Sequence, residues 1–252
     1  ILLLFVLISG KKMKFSVKEH ALMLLLGLSL FGINYWFVYK AETVLTSGLV
    51  AVIFSLIIFF NIFFNAVLLK GKIKKEVVFA AILGVSGTAL LFKNEFSSFS
   101  LNPEDYIVLL FCLGRLISAS LGNILSAYKQ KKNIPVLQAN AFGMFYGGIS
   151  MFLLVLLLGK PVTFDFSANY SLSLIYLSVL GSIVAFSTYL KLLGEIGPDR
   201  SIYIALITPV IALGISTIFE EYRWDVFALL GILLLFSGNV LALRLKKQKV
   251  TA

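Results

Sequence analysis

The chain is divided into long stretches that carry no charged side chain: Ala21 to Tyr39, Ser47 to Leu69, Val77 to Phe92, Ile134 to Gly159, Ser167 to Leu190, Ser201 to Phe219 and Val226 to Leu243. Tyr106 to Tyr128 joins them with one internal cation, Arg115. At about 1.5 Å per helical residue, some 20 residues cross a hydrocarbon core of about 30 Å, so these are eight candidate membrane helices. Val77 to Phe92 is short and must borrow flanking residues. The runs are continuously apolar rather than alternating, which excludes the strands of a membrane barrel. A soluble domain is excluded as well, because 60% of the residues are hydrophobic and only 13% are charged. The single cysteine, Cys112, cannot form an internal disulfide.

Ile1 to Ser9 is apolar but too short to cross, and it has neither an initiating Met nor the basic start and cleavage site of a signal peptide. It reads as the end of a span whose beginning is missing, so the chain is expected to be N-terminally truncated.

The excess of cations, 22 Lys and Arg against 12 Asp and Glu, lies between the apolar runs. Alternate loops hold Lys11, Lys12, Lys14 and Lys18; Lys70, Lys72, Lys74 and Lys75; Lys129, Lys131 and Lys132; Lys191 and Arg200; and Arg244, Lys246, Lys247 and Lys249, 17 in all. The intervening loops hold four: Lys40, Lys93, Lys160 and Arg223. The positive-inside rule then puts the rich loops and the C-terminus in the cytoplasm. The charge serves orientation in a lipid bilayer, and no nucleic-acid partner is expected.

Sliding the chain by 151 positions lays Ser86-Gly87 and Leu90 on Ser237-Gly238 and Leu241, and Lys40 on Lys191. Span ends match without a gap: Ser47 to Leu69 falls on Pro198 to Glu220, and Val77 to Phe92 on Ala228 to Leu243. Five crossings separate a span from its copy, an odd number, so the copies point in opposite directions. Inverted repeats of this kind build secondary transporters, with the substrate near the midplane.

The runs Asn34 to Asn61 (NYWFVYKAETVLTSGLVAVIFSLIIFFN), Ala119 to Ala127, Asn140 to Gly148 and Gly181 to Tyr222 resemble the EamA-type drug/metabolite transporter superfamily. Among them, Gly-Pro-Asp-Arg precedes a span carrying Thr208-Pro209, with Glu220-Glu221 at its far end. The first half departs from the family pattern, with Ile58 where a proline often stands and Lys72 where a glutamate often stands. The resemblance implies an all-α integral membrane fold of two inverted five-helix repeats. Eight complete helices and a partial one are expected here, divided into residues 1–93, lacking the first helix and part of the second, and residues 104–245. It also implies a multi-pass protein of the inner (plasma) membrane that exports amino acids or related metabolites, although uptake members exist.

Arg115 is the most informative residue, because a cation near the middle of a span costs about 2.5 to 3.5 kcal/mol on insertion scales. Its guanidinium suits a substrate carboxylate or phosphate. Alternatively it bonds carbonyls of a neighbouring broken helix, or a carboxylate on the missing segment. Asn34, Asn61, Asn123 and Thr208 are candidates for the wall of a polar cavity, with interhelical hydrogen bonding as the alternative. Asn65, one turn from Asn61, is expected to face with it. Trp36, Tyr189 and Tyr203 are candidates for stacking on a ligand, and Pro209 for a hinge, since it removes a backbone bond within its span. The ladder Gly114, Ser118, Gly122 and Ser126, and the pair Gly143 and Gly147, are expected to bring helices into close contact. His20 reads as interfacial and Cys112 as a filler.

An enzyme would need a metal or acid cluster within the spans, and one His, one Cys and no paired acids do not supply it. No metal, nucleotide or other cofactor is expected. A channel or scaffold is the alternative to a transporter, although no ring of charges or carbonyl filter is visible. The expected function is secondary transport of a small organic solute by alternating access at a midplane cavity, with a homo-oligomer left open.

Overall fold

The computed structural model describes residues 1–45, 47–93, 106–197, 211 and 225–244. Among these residues every regular element is a helix. After a short α1 (Leu2–Ile8) come α2 (Val17–Ala41), α3 (Ser47–Ser55), α4 (Ile57–Leu69), α5 (Lys75–Leu91), α6 (Tyr106–Lys131), α7 (Val136–Leu157), α8 (Ala168–Ile196) and α9 (Val226–Arg244). Of the span expected over 201–219 only Ile211 is described, so Tyr203, Thr208 and Pro209 lie outside the described residues.

Helix boundaries follow the charges and the turn chemistry. Ser16 and Glu19 form a capping box at the start of α2: Ser16 Oγ accepts from Glu19 N–H at 3.3 Å, and Ser16 N–H donates to the Glu19 carboxylate at 2.6 Å. Ser167 Oγ accepts from Tyr170 N–H at the start of α8, and Asp225 Oδ1 from Ala228 N–H at the start of α9. Lys70 ends α4 in the left-handed region at φ 56°, and Gly71 N–H bonds back to Asn65 O. Asn133 makes the same left-handed turn before Pro135 opens α7.

Among the described residues five helical stretches are long and apolar enough to cross a membrane: Val17–Ala41, Val52–Leu69, Tyr106–Lys131, Val136–Leu157 and Ala168–Ile196. They turn large apolar side chains outward, including Leu110, Leu113 and Ile117 on α6, Phe152, Leu153 and Leu156 on α7, and Leu172, Ile175, Leu177 and Leu180 on α8. Such a surface is stable against lipid and not against water. The opposite face of α6 buries Cys112, Leu116, Ala119, Asn123 and Ser126, a spacing of three and four that defines one helical stripe.

α2 and α8 are each wound as a π-helix in their middle, over Gly27–Gly32 and Leu177–Val184. Widening the turn frees carbonyls, and hydroxyls and amides take them up. Ser118 Oγ on α6 donates to Ser29 O at 2.8 Å, Asn34 Nδ2 reaches Leu30 O at 3.4 Å, and Ser182 Oγ donates to Leu177 O at 3.1 Å. The line from α3 to α4 is broken at Leu56 with no proline or glycine there, and Ser55 Oγ bonds back to Val52 O at 2.6 Å just before the break.

Positions 151 apart behave alike. The first residues of α2 and α8, Val17 and Ala168, stand at this offset, as do their capping serines, Ser16 and Ser167, and the first residues of α5 and α9, Lys75 and Val226. Shifted by 151, the π segment Gly27–Gly32 falls at 178–183, inside Leu177–Val184.

α5 and α9 cross through glycine. A methyl placed on Gly87 would lie 2.6 Å from Gly231 O, and one on Gly238 would lie 2.8 Å from Ala80 O. These two contacts exchange when each residue is replaced by the one 151 positions away. Beside this crossing sits the main core, in which Ile57, Ile58 and Ile62 of α4 meet Ala80 and Ala81 of α5, Leu116 and Ala119 of α6, and Ala228 and Leu235 of α9. A second core joins Leu26 and Leu30 of α2, Ala127 of α6, and Leu190 and Leu193 of α8.

Candidate functional site

The polar groups of the interior collect on α6 where it faces α4 and α3. Ser120 Oγ donates to Asn61 Oδ1 at 2.6 Å, and Asn123 Nδ2 approaches the same oxygen at 3.5 Å. Asn61 and Ser120 are fully buried and Asn123 is 3% exposed, so the cluster is sealed within the helices. On the same stripe, the Arg115 guanidinium carbon lies 4.0 Å from the centre of the Phe54 ring, a cation–π contact beside the break at Leu56. Arg115 Nε is buried and has no hydrogen-bond partner among the described residues. Glu42, just past the end of α2, is the carboxylate whose charge acts on Arg115, and no direct ion pair closes between them.

Asn61 and Asn123, expected separately, thus meet, with Ser120 and Asn123 both donating to Asn61 Oδ1. Asn65, one turn on from Asn61 in α4, is half-buried with its side chain beside Gly71, and its carbonyl accepts from Gly71 N–H where the helix ends. Asn34 bonds to the π-wound carbonyl of Leu30, and its Oδ1 is buried without a partner among the described residues. Trp36 packs edge-on against Phe111 of α6 at 5.5 Å, apart from the amide cluster. Tyr189 of α8 packs against both core clusters. Cys112 fills a small apolar cluster with Ala41, Leu45, Val50 and Val108.

The glycine ladders bring helices together: a methyl on Gly122 would strike Leu30, one on Gly114 would strike Phe37, and one on Gly147 would lie 2.7 Å from Gly27 O. His20 lies in the first turn of α2. It is half-buried, with Nδ1 2.9 Å from Tyr146 Oη, and its ring meets Phe142 edge-on at 4.8 Å. Lys129, grouped by sequence with the loop lysines 131 and 132, belongs to α6 and is 1% exposed, because the helix runs on to Lys131.

A cavity of about 360 Å³ lies between α1, α2, α7 and α8. The two π segments flank it, with Phe31, Tyr35, Ser178 and Ser182 among its lining residues. Among the described residues no three His, Cys, Asp or Glu side chains come together as metal ligands.

The EamA-like transporter family model matches residues 1–93 and 106–244. The chain belongs to this family. It is similar to an uncharacterized transporter of Clostridium kluyveri, with 24% identity over 238 residues, covering 93% of this chain and 75% of the relative. It is also 28% identical over 219 residues to the uncharacterized inner membrane transporter YedA of Escherichia coli K12, covering 86% of this chain and 68% of YedA. One crystal structure shares the fold with a TM-score of 0.72 at 18% identity, over 97% of this chain and 84% of that one. This EamA-like chain is therefore an all-α integral membrane protein of a transporter family.

Proposed function

We propose that the protein is a secondary transporter that exports a small organic solute bearing a carboxylate, an amino acid or a related metabolite, across the inner membrane. Arg115 carries this reading. A guanidinium set against one aromatic face, with a buried N–H lacking an acceptor, is suited to a planar oxyanion, and Asn61, Ser120 and Asn123 follow along the same helix. In this reading Tyr203 and Thr208, outside the described residues, supply an aromatic and a hydroxyl, and Pro209 a hinge. Trp36, Asn34 and Tyr189 border the same interior from α2 and α8.

Transport proceeds by alternating access between two halves related by inversion, with the C-terminus put in the cytoplasm by the lysine-rich loops. The shared 151-residue offset of helix starts, caps and π segments supports it, as do the exchanged contacts of Gly87 with Gly231 and of Gly238 with Ala80. The test is export of labelled amino acids and carboxylates from cells and vesicles carrying wild-type protein or Arg115→Ala. Loss of flux with unchanged membrane expression supports the assignment, and unchanged flux of a transported anion removes it.

A further inference from the structure

A second cation lies in the interior of the same helix. Lys129 is 1% exposed, and its Nζ is buried with no hydrogen-bond partner among the described residues. An ammonium group removed from water without an acceptor is strongly unfavourable, and removing the other half of a buried pair is costly for the same reason. A sequence gains nothing in stability from such a lysine where leucine or methionine would pack.

Its register is informative. Arg115, Ser118, Gly122, Ser126 and Lys129 follow one another at intervals of three and four residues, so they occupy one face of α6. Lys129 stands about 21 Å from Arg115 along the axis, taking about 1.5 Å for each of the intervening positions. A small solute cannot touch both at once. The two cations therefore mark successive positions on one face, with Ser126 and Asn123 between them.

Among the described residues Lys129 does not itself line a cavity, but the chain next to it is basic. A cavity of about 660 Å³ opens between the loop after α1, the turn from α6 to α7, and α8, lined by Lys11, Lys12 and Lys191, with Glu195 as its carboxylate and Gln130 and Asn133 beside them. Gln130 and Asn133 bracket the turn that leaves Lys129, whose carbonyl accepts from Ile134 N–H at 3.1 Å. Three ammonium groups against one carboxylate favour anions at this mouth.

We propose that Lys129 is a second oxyanion site: a solute drawn into the basic cavity pairs its anionic group with Lys129 Nζ before or after it occupies Arg115. This rests on Arg115 as the deeper site and extends it by fixing the solute as an anion at a second position; between the two, Ser118 and Gly122 are closed against α2, so passage needs α2 and α6 to part. An ammonium is a point charge with rotatable donors, suited to passing a ligand on, whereas the guanidinium fork holds one orientation.

The experiment is thermal stabilisation of the purified full chain in detergent at constant ionic strength, titrated with inorganic phosphate, with succinate, and with putrescine as a cationic control. Wild type is expected to be stabilised saturably by an oxyanion and not by putrescine, and the response to phosphate against succinate separates the two sources of the anionic group. Lys129→Met and Lys129→Gln weaken that binding by about tenfold or more, as expected when a hydrogen bond to a charged group is lost, and Lys129→Arg retains most of it. If Lys129→Met cannot be purified, the Gln and Arg variants carry the comparison. Wild-type affinity in Lys129→Met and Lys129→Gln overturns the site. Failure of both oxyanions to stabilise wild type, or equal stabilisation by putrescine, overturns it too. Arg115→Ala measured alongside separates the two readings: loss only at Lys129 keeps this site and removes the deeper one, and loss only at Arg115 does the reverse.

Discussion

Asn61 on α4 and Ser120 on α6 are joined side chain to side chain at 2.6 Å, both fully buried, with Asn123 sharing the same carbonyl oxygen. A polar bond between two membrane helices in so closed a setting ties α4 to α6 beside Arg115. Ser120→Ala is expected to lower stability by about 0.6 kcal/mol, with a ceiling near 1.7, the range for interhelical bonds in membranes. A double-mutant cycle with Asn61→Ala, read from unfolding in detergent, should return a coupling of that size. Additive effects would show that the pair contributes nothing jointly.

Phe54 holds the Arg115 guanidinium on its face. Phe54→Leu keeps an apolar side chain of similar length and removes the ring quadrupole, which is worth about 0.5 to 2 kcal/mol in such contacts. Substrate affinity should fall by roughly three- to thirtyfold, while Phe54→Tyr stays near wild type. Equal affinities in Leu and Tyr variants would make the ring a spacer only.

At the crossing of α5 and α9 there is no room for a side chain. Gly87→Val is expected to cost about 1 to 3 kcal/mol by overpacking, seen as a lowered Tm. Gly148→Ala, where nothing lies within 4 Å of the added methyl, should leave Tm unchanged. Similar Tm values for both variants would contradict the close approach.

Inversion of the halves predicts that a tag in the turn around Lys72 and one in the turn around Arg223 reach opposite sides of the membrane. Accessibility to an impermeant label in intact cells decides it. Labelling of both from one side would remove the inverted arrangement and alternating access with it.

Much of the fold is legible in the sequence because lysines and glutamates cluster near the helix ends, within a turn or two of where the apolar runs give out. Ala21 to Tyr39 grew only to Val17–Ala41, and Val226 to Leu243 to Val226–Arg244. The π winding of α2 and α8 left no such mark, since it depends on hydroxyls from elsewhere, such as Ser118, reaching the freed carbonyls. The break at Leu56 has no proline to announce it, and only Ser55, bonding to its own helix, hints at it. In the site, Asn61 and Asn123 were visible because amides are rare in apolar runs. Ser120 was hidden among small residues and Phe54 among 23 phenylalanines. Lys129 was misread because proximity to Lys131 and Lys132 resembles a loop, and burial is a property of packing that spacing alone does not carry.

The meeting of Gly87 with Gly231, and of Gly238 with Ala80, sets backbone against backbone where most helix pairs interlock knobs and grooves. Helices joined by meshed side chains must disengage before they can turn. At these points α5 and α9 carry little besides Leu91 and Leu235 next to the bare glycines, so little has to move if the proposed rocking changes their tilt, and the pair would then serve as its fulcrum.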